Sequence, residues 1–304
     1  MCICSEEMYA EGYDKLDVRR GTLRTSGTNT FLNVPKVTVR KNATLEIAST
    51  NDVWAAFDAL SQLVLEEGAR LVGGARSFGW FTKTDGVYRQ GSAGYPFIVG
   101  AAGGTGECLL GGGMTEIMSH VFVGGVFTNE IPVWASSTNW LARYGWPVDN
   151  HTAVGTLTVT GGTVTIGSTT TPRTLGVGFD GTGTLAVGGS LADITLNGDL
   201  VLSNTTANAT AAALAFTLDA NGVSPIKVSG KVANTAGTKL TVDLGPDAFA
   251  TKLSHRRLIA CDAWEGPEIA DVVFTGAHAD EVLLRRNATG LYVSVPIGAM
   301  LIVR

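Results

Sequence analysis

The amino-acid sequence predicts an all-β chain wound into a parallel β-helix, and three observations favour that fold class. Glycine supplies 39 of the 304 residues, about twice its usual share, which disfavours helical bundles. Hydrophobic residues make up 45% of the chain and charged residues only 16%, a balance that supports a sizeable core and excludes disorder. Short bursts in which Thr alternates with Leu, Val or Ile recur through the second half, separated by Gly, Asn or Asp.

Composition divides the chain into five segments. They are an N-terminal tail (1–18), the first coil turns (19–76), an irregular insertion rich in aromatic residues and glycine (77–150), regular β-helix repeats (151–248), and C-terminal turns with a cap (249–304). The last segment is the more charged end, and its final stretch from Leu291 is expected to form a terminal strand pair. A polar cap would protect the open strand edges at the end of a coil.

In the segment 19–76, two strand–turn–strand patterns surround one predicted helix. The first places Val37, Val39, Leu45 and Ile47 on one face, with Asn42–Ala43 as the turn because Asn tolerates a left-handed backbone. The second runs from Leu63 to Val72 and turns at Glu67–Gly68.

The short helix is predicted near residues 52–60. Asn51 or Asp52 is a suitable N-cap, and the apolar residues that follow share one helical face. Those residues are Val53, Ala56, Phe57 and Leu60.

The segment 77–150 contains twelve aromatic residues and shows no sustained periodicity, which favours long loops and irregular strands. Its best binding candidates are aromatic residues interleaved with polar ones, since flat rings pack on sugar C–H faces while Asn and Arg donate hydrogen bonds to hydroxyls. The set is Trp134, Asn139, Trp140, Arg143, Tyr144 and Trp146. The alternative is that these aromatic residues form a small satellite core.

The segment 151–248 contains strand bursts of about four residues, too short to hold a sheet alone. Leu, Val and Ile are expected on the inner face and Thr on the outer face. Stacked coil turns let each short strand bury the apolar row of its neighbour. A β-sandwich, the rival fold, usually has longer strands and interior aromatic residues. The bursts are Thr156–Val159, Thr163–Ile166, Thr174–Val177, Thr184–Val187, Asp193–Leu196, Asp199–Leu202, Phe216–Leu218, Ile226–Val228 and Leu240–Leu244.

The bursts GTLTVTGGTVTIG and GTGTLAVGGSLADITLNGDLVLSN resemble the autotransporter-associated β-strand repeats of bacterial surface proteins. The resemblance also covers KVTVRKNATLEIAST, LVLEEGARLVGG and the C-terminal GLYVSVPIGAMLIVR, about 60% of the chain in all. It implies a single-stranded, right-handed parallel β-helix that is exported to the cell exterior. It further implies a non-enzymatic structural or adhesion role, with a cell-surface or environmental polysaccharide as the expected partner. The sequence shows no signal peptide, translocating barrel or sorting tail, so an extracellular location rests on the resemblance.

The alternative function is a carbohydrate-active β-helix enzyme, either a polysaccharide lyase or a tailspike-like glycosidase. Such enzymes need carboxylates gathered in a groove, and Asp180, Asp193 and Asp199 are the candidates on stacked turns. Aspartate in a turn commonly binds its own backbone instead, so catalytic residues are not expected. A third possibility is the shaft of a phage or other particle, which would form a stable trimer.

No cofactor or metal site is predicted. Gly103–Gly106 lacks the Lys-Ser/Thr of a phosphate-binding loop. The spacing of His255, Cys261, Asp262 and Glu265 matches no zinc pattern, and the remaining cysteines (Cys2, Cys4 and Cys108) have no assigned role. A net charge of −5 provides no general positive potential that would attract nucleic acid. The sequence contains no run of 18 apolar residues, so no membrane-spanning helix is predicted. The oligomeric state is not predicted.

Overall fold

The computed structural model describes residues 2–4, 7–9, 15–26, 29–31, 36–48, 62–72, 77–78, 80–90, 96–100, 105–125, 153–178, 181–202, 212–235, 237–245, 256–276 and 279–294. Within these ranges the chain is nearly all β, with one 3-10 helix (Ala279–Glu281) and no α-helix. The helix predicted near 52–60 lies outside the described residues. No helical element in the described ranges has the length and apolar character needed to cross a membrane.

The strands are short and follow one another closely. The first half contains β1 (Cys2–Cys4), β2 (Glu7–Tyr9), β3 (Leu16–Val18), β4 (Thr22–Ser26), β5 (Asn29–Phe31), β6 (Lys36–Val39), β7 (Thr44–Ala48), β8 (Gln62–Leu65), β9 (Arg70–Val72), β10 (Ser77–Phe78), β11 (Trp80–Lys83), β12 (Val87–Gln90), β13 (Phe97–Val99), β14 (Thr105–Leu110), β15 (Met114–Ile117) and β16 (Val121–Val123). The second half contains β17 (Val154–Val159), β18 (Gly162–Ile166), β19 (Leu175–Val177), β20 (Thr182–Gly188), β21 (Ala192–Leu196), β22 (Leu200–Leu202), β23 (Ala212–Thr217), β24 (Ile226–Val228), β25 (Lys231–Asn234), β26 (Lys239–Asp243), β27 (Arg256–Ala260), β28 (Ala263–Glu265), β29 (Asp271–Thr275), β30 (Leu283–Asn287) and β31 (Gly290–Ser294).

The strands form three large sheets. Sheet 1 has the order β3-β6-β8-β11-β14-β17-β20-β23-β26-β29, and sheet 2 has the order β1-β4-β7-β9-β12-β15-β18-β21-β24-β27-β31-β30. Sheet 3 has the order β10-β13-β16-β19-β22-β25-β28, and β2 pairs with β5 separately. From β8 to β28 the chain visits sheets 1, 2 and 3 in that order seven times, and each strand pairs in parallel with strands of the neighbouring passes. Parallel sheets of many strands with this order are consistent with the predicted β-helix.

The core lies between the three sheets and is built from rows of apolar side chains that align from strand to strand. Leu157, Leu185, Leu214 and Leu240 pair in succession across sheet 1, and each is at most 3% exposed. Full burial of such a side chain stabilises the fold by about 2 kcal/mol. The alternation predicted for Thr156–Val159 and Thr184–Val187 is confirmed, since the Leu and Val residues of these stretches face inward and their Thr residues face outward.

Both predicted turns between sheet 1 and sheet 2 are confirmed. Asn42 adopts a left-handed backbone with φ of 59°, and Glu67–Gly68 turns between β8 and β9. The paired strands of each pattern lie in different sheets, so these turns are corners and not hairpins. Val37, Val39 and Leu45 are buried as expected, whereas the side chain of Ile47 lies outside the described set.

Two expectations need correction. The segment 77–125 is not irregular, because its described residues form β10 to β16 in register with the sheets on either side. Three of its aromatic residues, Phe81, Tyr88 and Phe97, take inner positions, and their rings contact one another with centroids 5.1 to 6.3 Å apart. The tail expected over 1–18 contains strands β1, β2 and β3.

The C-terminal end of sheet 2 reverses direction. The strand pair expected from Leu291 onward begins upstream, since β31 pairs in antiparallel fashion with both β30 and β27. Leu291 and Val293 join the core, while Tyr292 lies on the other face beneath the guanidinium of Arg257. Residues 295–304 are outside the described set.

Candidate binding surface on the 10-stranded sheet

The six binding candidates of the aromatic segment all fall in 126–152, outside the described residues. They are Trp134, Asn139, Trp140, Arg143, Tyr144 and Trp146. In sequence they lie between β16 of sheet 3 and β17 of sheet 1. Their role as a ligand-binding segment therefore stays a prediction.

Two of the three candidate catalytic carboxylates have structural partners. Asp193 lies on the outer face of sheet 2 and accepts a hydrogen bond from Lys227 Nζ at 2.7 Å. Asp199 precedes β22 of sheet 3, and its Oδ1 accepts the backbone N–H of Lys231 at 2.9 Å. Each carboxylate thus ties one pass of the chain to the next, as expected for acids that bind backbone or opposite charges. Asp180 lies outside the described residues.

The described residues considered for a metal site have different surroundings. Glu265 pairs with Lys231 Nζ at 2.9 Å, and Cys261 is a buried free thiol whose pKa is raised by burial. His255 is outside the described set. In the described ranges, no three His, Cys, Asp or Glu residues come close enough together to hold a metal ion.

A buried polar layer inside the sheets escaped sequence prediction. Lys83 is fully buried between Leu65 and Leu110, its partners on the two neighbouring strands of sheet 1. Its ammonium donates a hydrogen bond to the carbonyl of Gly112. Nearby, the hydroxyl of buried Tyr88 donates to Gln90 Oε1 at 3.4 Å.

Burial governs the titration of this layer. It lowers the pKa of Lys83 to about 8 and raises the pKa of the Cys108 thiol, because both charged forms lose solvation. Lys83 is 0% exposed and Cys108 is 1% exposed. Neither group can meet a substrate from solvent, so the layer is not an active site in this conformation.

The corner between sheets 1 and 2 is held by ion pairs near the N-terminus. Arg40 donates to Asp17 at 2.9 Å and to Glu66 at 2.8 Å, which links three successive passes of the chain. The hydrogen bond from Arg40, together with a weaker one from Arg19 at 3.2 Å, lowers the pKa of Asp17 to about 2.

We expect this corner to make the protein sensitive to acid. Asp17 stabilises the fold fully above its unfolded pKa near 3.8, and the contribution is lost as the pH falls from about 4 to about 2. Asp17→Asn should flatten that part of the profile of unfolding midpoint against pH. Arg19→Ala removes the weaker partner at 3.2 Å and should leave most of the slope. An unchanged slope in Asp17→Asn would contradict the assignment.

The outer face of sheet 1 carries a continuous column without charge, which we call the uncharged stripe. Its members share one register position on eight successive strands, and each is paired with the next. They are Val64, Thr82, Leu109, Thr158, Ala186, Ala215, Thr241 and Val273. With strands about 4.8 Å apart, the stripe is about 34 Å long.

The middle of the stripe is flanked by further small, uncharged side chains. In β17, β20 and β23 the adjacent column consists of Thr156, Thr184 and Ala213. Charge returns only at the ends of this column, with Glu107 on β14 and Lys239 on β26. Three of the five large apolar side chains that are exposed in the described ranges lie on this face: Leu109, Val154 and Val273, at 37% to 48% exposure.

The outer face of sheet 2 has a different character. Its outward charges form ion pairs between neighbouring strands, as in Arg24 with Glu46 and Lys227 with Asp193, both at 2.7 Å. Arg89 pairs with Glu116 in the same way. Sheet 2 therefore directs these charges to neighbouring strands, while the uncharged stripe of sheet 1 presents methyl and hydroxyl groups to solvent.

Comparison of the chain with protein-family models, with curated proteins and with solved structures finds no match. What this protein does is therefore inferred from its own residues, and the outer face of sheet 1 is the best candidate for contact with a partner.

Proposed function

We propose that this protein is a non-enzymatic β-solenoid of the structural or adhesion type that acts outside the cell. The observation that supports the proposal is the regular passage of the chain through three parallel sheets, seven times in succession. Such a fold builds an extended surface by repetition, and repeat proteins commonly use surfaces of this kind for binding. The resemblance of the Thr-rich bursts to repeats of bacterial surface proteins supports the extracellular location.

The described carboxylates favour this role over catalysis. Glycoside hydrolysis needs two carboxyl groups that flank one bond and remain available to it. Asp193 and Asp199 instead lie in or beside different sheets and are bound to Lys227 and Lys231. These hydrogen bonds fit a structural role in which each carboxylate links one pass of the chain to the next.

The test is retention of the protein on a panel of immobilised polysaccharides, with each eluate assayed for new chain ends. We expect retention on at least one polymer without new chain ends. Release of chain ends that persists after repurification, and that is lost in Asp193→Asn or Asp199→Asn, would overturn the non-enzymatic role. Trp140→Ala, measured on the same panel, tests whether the aromatic segment contributes to retention.

A further inference from the structure

We infer that the uncharged stripe is the binding site for a linear, neutral polysaccharide chain that lies along the direction in which the strands stack. This inference rests on the proposed adhesion function and specifies its ligand class and its site. Four properties of the described residues support it.

The first property is shape. The stripe is one column of side chains about 34 Å long, and only its middle third is joined by a second uncharged column, Thr156, Thr184 and Ala213, about 7 Å away. A long and narrow face fits an extended polymer better than a compact partner.

The second property is area. At about 7 Å per column, the stripe of about 34 Å and the adjacent column on three strands together cover about 350 Å², whereas a stable protein–protein interface buries about 800 Å² on each partner. The face is therefore too small for a stable dimer of this chain, but its size suits a ligand that makes many weak contacts along its length.

The third property is chemistry. Threonine and alanine supply a shallow surface of methyl groups, and Thr82, Thr158 and Thr241 add hydroxyl groups that both donate and accept hydrogen bonds. Sugars present the same two kinds of group, apolar C–H faces and hydroxyls at their edges. From β17 to β26, where the stripe consists only of Thr and Ala, side chains of this size leave no bulky obstacle above the strands.

The fourth property is charge. Recognition of an acidic polymer needs Arg or Lys, which bind carboxylates and sulfates. The stripe has neither, and on sheet 2 the cations Arg24, Arg89 and Lys227 are paired with carboxylates of neighbouring strands. The stripe therefore selects an uncharged polymer.

The experiment places a charge in the middle of the stripe. Ala215 is half-buried between Ala186 and Thr241, and the variants are Ala215→Lys and Ala215→Glu. The matched control is Thr165→Lys, at a half-buried outward position of β18 in sheet 2. Thermal unfolding of each variant verifies the fold. The probes are cellulose, amylose and dextran as neutral polymers, and alginate and heparin as acidic ones.

We expect the unmodified protein to be retained on at least one neutral polymer. Both Ala215 variants should weaken that retention about tenfold, since either charge loses hydration beneath a neutral chain, while Thr165→Lys should retain wild-type affinity. Soluble oligosaccharides of the retained polymer should bind more tightly as they lengthen, until they span the stripe.

Three results would overturn the inference, and they differ from failure of the proposed function. Wild-type retention in both Ala215 variants places the binding site elsewhere. Retention on alginate or heparin alone, strengthened by Ala215→Lys and weakened by Ala215→Glu, identifies an acidic ligand. Affinity that stops rising at a mono- or disaccharide identifies a small pocket. Retention on no polymer, or release of chain ends, counts against the proposed function itself.

Discussion

Replacing Lys83 with methionine is expected to stabilise the protein by about 2 kcal/mol at neutral pH. Lys83 is fully buried among apolar neighbours, with one hydrogen bond to the carbonyl of Gly112. Below its lowered pKa of about 8, the folded protein must hold the ammonium charge out of water. Methionine fills a similar volume and removes that desolvation cost, although the Gly112 carbonyl loses its partner.

The pH dependence of unfolding tests the physical cause. The pKa of Lys83 falls from 10.5 in the unfolded chain to about 8 in the fold, so the unfolded state binds more protons between those values. The contribution of Lys83 to stability therefore rises as the pH increases from about 8 to about 10.5. Cys108 and Tyr88, whose pKa values are raised by burial, oppose this rise at high pH in the wild type and in the variant alike.

The difference in unfolding free energy between Lys83→Met and the wild type isolates Lys83. It should be largest below pH 8 and shrink toward pH 10.5. Leu110→Met, next to Lys83 in the same inner column, is the control and should cost less than about 1.5 kcal/mol at every pH. A Lys83→Met protein less stable than the wild type at pH 7 would show that the ammonium group contributes net stability.

Gly113→Ala is expected to destabilise the protein by about 4 kcal/mol. Gly113 forms the corner between β14 and β15 with φ of +64°, a backbone conformation that residues other than glycine rarely adopt. An added Cβ would lie 2.1 Å from the carbonyl oxygen of Gly86 in the preceding pass. The strain cannot be relieved by a side-chain rotation, because the opposing atom belongs to the backbone.

Two other glycines separate strain from steric overlap. Gly21 occupies the equivalent corner position before β4, with φ of +68° but no heavy atom within 4 Å of an added Cβ, so Gly21→Ala should cost only about 1 kcal/mol. Gly188 in β20 lacks a left-handed backbone and would contact only Thr160 at 3.4 Å, so Gly188→Ala should be close to neutral. Chemical unfolding of the three variants gives the comparison. Equal losses in Gly113→Ala and Gly21→Ala would exclude close packing between passes as the cause.

The second half of the fold could be predicted because its strands follow a simple rule. Thr156–Val159 and Thr184–Val187 fall within β17 and β20, and Ile226–Val228 coincides with β24. In the predicted stretches of β17 and β20, Leu and Val face inward and Thr faces outward, and in β24 Ile and Val face inward on either side of Lys227, so a local alternation suffices to locate them.

The segment 77–125 escaped prediction because its inner positions break that rule. β11 places Phe81 and Lys83 inward, and β12 places Tyr88 and Gln90 inward, where most other passes have Leu, Val or Ile. The rings pack against one another, Gln90 Nε2 donates to Ser119 Oγ at 3.0 Å, and Lys83 donates to the carbonyl of Gly112, so these polar groups find their partners on the next pass. Such contacts cannot be recognised from neighbouring residues in the sequence.

The uncharged stripe escaped prediction for a related reason. The sequence predicts that Thr faces outward, but it does not predict which outward residues align in one column. That alignment depends on the register between strands, and the strands are separated by unequal lengths of chain. Ion pairs between successive passes join residues 22 apart in one case and 34 apart in another. Only the structure shows that Thr158, Ala186 and Ala215 are neighbours.

The parallel strand order also has a mechanical consequence. Each strand lies across the direction of stacking, so a tensile load along that direction acts on the interstrand hydrogen bonds of all three sheets at once. Detaching one pass of about 30 residues would release about 100 Å of extended chain while shortening the stack by only about 5 Å. A protein of this kind under tension should therefore yield in discrete steps, each dissipating work and leaving the remaining passes intact.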